Sequence, residues 1–115
     1  MITVSFQSDE KSKSLSLTIK GHAGQADIGQ DIICSSASIL AYTAAQIVKS
    51  MADGGDLKGT PTISLENGDA VISCKCRTKA LYAEADYALQ VVLVGYSLLA
   101  HNYPQYVEIT EFGEA

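Results

Sequence analysis

Two paired runs of alternating apolar and polar residues, two long stretches with helical apolar spacing, and an Asn-Gly step inside the second strand pair predict an α+β fold. The element order is ββαββαβ. The expected architecture is a two-layer sandwich: a largely antiparallel five-stranded sheet with two long helices on one face. A chain of 115 residues suits one domain, 1–115, with one core and no need of staples.

Each element has its own signal. In Met1 to Gln7, Ile2, Val4 and Phe6 share one face and Thr3, Ser5 and Gln7 the other, which is the period of a half-buried strand. Ser8 to Lys13 is polar and reads as a hairpin loop. The second strand places Leu15, Leu17 and Ile19 inward and Ser16, Thr18 and Lys20 outward. Gly21 to Gln30 is a glycine-bearing loop, and Asp31 is a suitable N-cap for the helix that follows. In that helix Ile33, Ala37, Leu40, Ala44, Ile47 and Met51 recur at steps of four and three. Asp53-Gly54-Gly55-Asp56 ends it, with Gly54 expected as the left-handed cap.

The second half repeats the pattern. Thr62 to Glu66 and Ala70 to Cys76 are strands three and four, and Asn67-Gly68 between them predicts a primed turn with positive φ at both residues. Helix two runs from about Lys79 to about Asn102 with a core stripe of Ala85, Leu89, Val92, Tyr96 and Leu99. Gly95 costs this helix about 1 kcal/mol relative to alanine, so a close packing contact is expected there. Pro104 stops the helix, and Tyr106 to Glu111 is the last strand. Helix two also carries a second apolar stripe, Tyr87, Val91, Val94 and Leu98. A helix apolar on two sides needs cover on both, which predicts a homodimer through this stripe.

Composition excludes several classes. Apolar residues at 47% and charged residues at 18% describe a folded chain. No apolar run approaches a membrane span and the N-terminus lacks a signal-sequence pattern, so no membrane partner and a cytoplasmic location are expected. Three cysteines, two of them separated by a single residue, do not make a secreted disulfide framework. A net charge of −5 disfavours direct nucleic-acid binding and suits a basic protein partner instead.

The residues that carry chemistry are close together in sequence. His22 follows strand two, and Cys34 falls in the first turn of helix one if Asp31 is its cap. A thiol attacks as its thiolate. The free N–H groups of a first helical turn and an imidazolium from His22 would both favour that form. Asp31 is ambiguous between orienting the His22 ring and capping the helix. Ser38, four residues after Cys34, shares its helix face. The other reading is bland: Cys34 as a small buried hydrophobe and His22 as a surface residue.

Gly21-His22-Ala23 followed by Asp31-Ile32-Ile33-Cys34 and Ser38 resembles the ribosomal-processing cysteine protease (Prp) family of bacteria. Chain length and element order agree, so the likeness covers nearly the whole chain. It implies a cysteine endopeptidase, in which Cys34 is the nucleophile and His22 its base, that removes the N-terminal extension of a large-subunit ribosomal protein. It also implies a homodimer, a mobile glycine loop and substrates with aromatic residues at the cut. Gly21, Gly24 and Gly29 would belong to a lid over the extended substrate, while Asp31 and Ser38 would support the site. The competing function is a non-catalytic dimeric module that binds a ribosomal or ribosome-assembly partner.

The remaining signals support no cofactor and no metal. Cys74 and Cys76 lie on one strand face with Ile72 and read as core, since a zinc site wants four ligands. The glycine loop lacks the Gly-Lys-Ser/Thr ending of a phosphate-binding loop, and Asp27 and Asp31 would repel an anion. Lys75, Arg77 and Lys79 read as a solvated edge.

Overall fold

The computed structural model describes residues 1–22 and 28–114, with side chains at 28–31 and 111–114 left aside. The elements follow the predicted order: β1 (Ile2–Asp9), β2 (Ser14–Gly21), α1 (Ile28–Asp53), β3 (Thr62–Glu66), β4 (Asp69–Lys75), α2 (Lys79–Asn102) and β5 (Val107–Glu114). The strands form one sheet in the order β3-β4-β2-β1-β5. Every neighbouring pair is antiparallel except β1 and β5, which run parallel. This mixed sheet requires a crossover to bring β5 alongside β1, and α2 occupies that connection.

Alternation sets which face is buried. Ile2, Val4 and Phe6 of β1, Leu15, Leu17 and Ile19 of β2, and Ala70, Ile72 and Cys74 of β4 all turn inward. Ser8 continues the β1 series and is the polar residue on that face, buried like its neighbours. The two helices cover this face and pack on each other. Tyr96 is fully buried and its hydroxyl donates to the Ala37 carbonyl at 2.8 Å, tying α2 to α1. Gly95 makes the expected close contact, since a Cβ there would lie 2.6 Å from Leu40 Cδ2.

Helix ends show where local sequence was and was not decisive. Thr78 caps α2, accepting from the Leu81 N–H at 3.1 Å through its hydroxyl. At the end of α1 the left-handed residue is Gly55 (φ 77), not Gly54. The Asp56 N–H bonds Met51 and the Gly55 N–H bonds Ala52, the paired bonds of a Schellman motif with Gly55 at C′. The helix simply runs one residue further than the sequence boundary. Its start differs more: α1 begins at Ile28, so Asp31 is an interior residue and not the N-cap. A lone Gly29 costs a helix only about 1 kcal/mol, too little to fix the boundary after it.

Two other expectations are corrected. In the β3–β4 turn only Gly68 has positive φ (76°), and Asn67 does not. That is the pattern of a type II turn rather than a primed one. Residues 32–53 of α1 are long and apolar enough to cross a membrane by length and composition, contrary to the sequence reading. Here Ile33, Ala37, Ala41, Ala44 and Val48 of that stretch are buried in the core, as in the central helix of a packed domain.

Candidate active site

The site is built by strand register. Lys20 of β2 pairs with Asp69 of β4, so the chain leaving β2 must pass beside the β3–β4 turn. Gly21 makes that passage. Its N–H donates to the Gly68 carbonyl at 2.9 Å, and its φ of 98° is open to glycine and costly for other residues. A Cβ at Gly21 would also strike the Met1 carbonyl oxygen. His22 is therefore delivered to one place, with its ring lying over Gly68 closely enough that a Cβ there would collide with Nε2. The Met1 amino group donates to the His22 carbonyl at 2.6 Å.

From the other side α1 contributes Cys34, Ala37, Ser38 and Ala41. These residues, the end of β2 with His22, and the turn Glu66 to Asp69 line one cavity of about 80 Å³. Cys34 is half-buried, while Ser38 and His22 are exposed. All three cysteines are free thiols. Cys74 and Cys76 differ from Cys34 in being buried in the core. Burial first, and then the neighbouring Cys76, pushes the Cys74 thiol up to about 12. Burial likewise raises Cys76. Neither holds thiolate near neutral pH.

The predicted residues are thus only partly brought together. His22, Cys34, Ser38 and Gly21 share the cavity. Asp31 lies in α1 about one turn before Cys34, and its side chain is outside the described residues, as is Gly24 altogether. Gly29 is in the first turn of α1 and not in a loop. Because the helix starts at Ile28, Cys34 falls in its second turn, and the free N–H groups belong to residues 28–31 instead. The first-turn support expected for the thiolate is therefore one turn away. Among the described residues, no cluster of three or more His, Cys, Asp or Glu side chains suits a metal ion.

Sequence reading missed the turn wall, Glu66-Asn67-Gly68-Asp69. Asn67-Gly68 is legible as a turn, but only the β2–β4 register places it against His22. Its two carboxylates give the cavity an acidic rim.

A half-exposed thiol and an imidazole on one cavity, between a helix and the end of a sheet, are the parts of a thiol-dependent hydrolase site. The chain belongs to the cysteine protease Prp family, whose model matches residues 1–108, and it is accordingly a cysteine peptidase. Three solved structures share the fold. SMU.848 from Streptococcus mutans superposes with a TM-score of 0.68 at 22% identity, covering 98% of this chain and 95% of that one. The ribosomal processing protease Prp from S. aureus with a covalently linked product peptide gives 0.69 at 20% identity, covering 97% and 100%. The same protease with a substrate peptide gives 0.68 at 18% identity, with the same coverage. Among curated sequences, none matches this chain significantly.

Proposed function

We propose that the chain is a Cys34–His22 endopeptidase that removes the N-terminal extension of a large-subunit ribosomal protein precursor and so supports ribosome assembly. The observation that carries this reading is the cavity shared by His22 and the half-buried Cys34 thiol, while the other two thiols are locked in the core. In this mechanism His22 takes the Cys34 proton and the thiolate attacks the scissile carbonyl. The tetrahedral intermediate collapses to a thioester as His22 protonates the leaving amine. Water, deprotonated by His22, then hydrolyses the thioester and restores the thiol. Asp31 orients or supports His22, and Ser38 donates into the site.

The substrate assignment draws on family membership and on the ribosomal processing protease of S. aureus that shares the fold. It also draws on charge. Glu66 and Asp69 line the cavity of a chain with net charge −5, which favours encounter with a basic ribosomal protein. The segment between β2 and α1, which contains Gly24, serves as the substrate lid, with Gly21 ending β2 before it and Gly29 in the first turn of α1 after it. The enzyme works in the cytoplasm as a homodimer joined through Tyr87, Val91, Val94 and Leu98, all exposed in the single chain.

The test is a mass-spectrometric cleavage assay on the recombinant precursor with wild type, Cys34→Ala and His22→Ala. A single cut by wild type, lost in both variants while they stay folded, is the expected result. An intact precursor that still binds wild type would replace the protease with a binding module.

A further inference from the structure

Strand β3 is an edge of the sheet and pairs on one side only, with β4. Its turn closes between Glu66 and Asp69, so the ladder bonds fall at Glu66, Ser64 and Thr62 by alternation. Ile63 and Leu65, opposite Ile72 and Ala70, point their own N–H and C=O groups away from β4. Among the described residues, no backbone bond outside the ladder engages either of them. Their side chains lie on the helix-bearing face, yet remain 37% and 41% exposed although α1 packs beside β3. Natural edges are normally blunted by charge, proline or a bulge. Here Pro61 precedes the strand and Glu66 ends it, while the two outward-bonding positions between them are apolar.

The edge also leads somewhere. The chain of β3 runs directly into Glu66, Asn67 and Gly68, which line the cavity with His22 and Cys34. We infer that the outer edge of β3 is the docking strand for the peptide substrate. The peptide adds as a sixth strand through the backbone groups of Ile63 and Leu65 and carries its scissile bond past the turn into the cavity. This inference rests on the protease reading above, because a protein segment must be extended to be cut. Strand addition gives affinity from main-chain bonds, while alternate side chains of the peptide pack on Ile63 and Leu65. The ligand class is thus an extended polypeptide with apolar residues on alternate positions.

The variant Leu65→Pro isolates the outward donor, because the lost N–H is not one of the ladder bonds and edge strands tolerate proline there. Steady-state cleavage of a synthetic peptide spanning the precursor's cut is expected to show KM raised about tenfold with kcat little changed. If Leu65→Pro does not fold, the same peptide with single N-methylated amides, assayed on wild type, should raise KM at alternate positions. No cleavage by wild type would overturn the protease reading and this inference with it. Cleavage with unchanged KM in folded Leu65→Pro, or a flat N-methyl series, would overturn the inference alone. A change of oligomeric state with KM unchanged would give the edge to a second copy of the chain and overturn it likewise.

Discussion

Gly68 and Gly55 both hold φ near 77° and differ in what surrounds them. A Cβ at Gly55 meets nothing within 4 Å, whereas a Cβ at Gly68 meets His22, with Cε1 at 2.7 Å. Alanine at either site carries the same backbone penalty, about 1–2 kcal/mol for a left-handed non-glycine residue. Only Gly68→Ala also displaces the imidazole. The expected outcome is a similar loss of melting temperature in both variants, with kcat/KM reduced roughly a hundredfold in Gly68→Ala alone, since small misplacements of a catalytic group have that effect. Equal activities would remove His22 from the chemistry. At this scale the sequence named His22 and Cys34 but not Gly68, because nothing local to Asn67-Gly68 announces a histidine neighbour from β2.

Among the elements, α1 does most to define the site, and its position depends on α2. Ala37 lines the cavity and its carbonyl accepts the buried Tyr96 hydroxyl. Tyr96→Phe removes that bond and leaves the ring packing, so chemical denaturation should show a loss of about 1 kcal/mol with an unchanged slope. A larger loss with an altered slope would mean that α1 and α2 separate without it. Helix two was legible with its approximate ends, from its apolar stripe and from the proline beyond its end. Helix one was not, because its N-terminus carries no decisive signal: Asp31 looks like a cap, yet the turn before it is helical too. With that start, Cys34 lies in the second turn of the helix, and in the proposed mechanism thiol activation falls to His22.

On the whole molecule, four of the large apolar side chains left exposed among the described residues lie along α2. Tyr87 is 75% exposed, and Val91, Val94 and Leu98 are each more than half exposed on one stripe of α2. These side chains lie outside the core cluster, so a charge placed there is expected to leave the monomer fold intact and act on association. Leu98→Glu is expected to sediment as a folded monomer at micromolar concentration, where wild type sediments as a dimer. A wild-type monomer under those conditions would remove the proposed interface. The stripe was visible as periodicity, but its exposure required knowing that the sheet lies against the opposite side of α2.

The sequence by itself determined the element order, the one-sided burial of the strands and the positions of the thiol and imidazole. Period-two and helical spacing are local properties, readable wherever the pattern is unbroken. Tertiary structure alone decided that β5 joins β1 in parallel and that β3 is left as an open edge. It also decided that the β3–β4 turn closes over His22 to complete the cavity. Those facts depend on strand register and crossover, which bring together residues from about fifty to about one hundred positions apart, and no local signal carries that information.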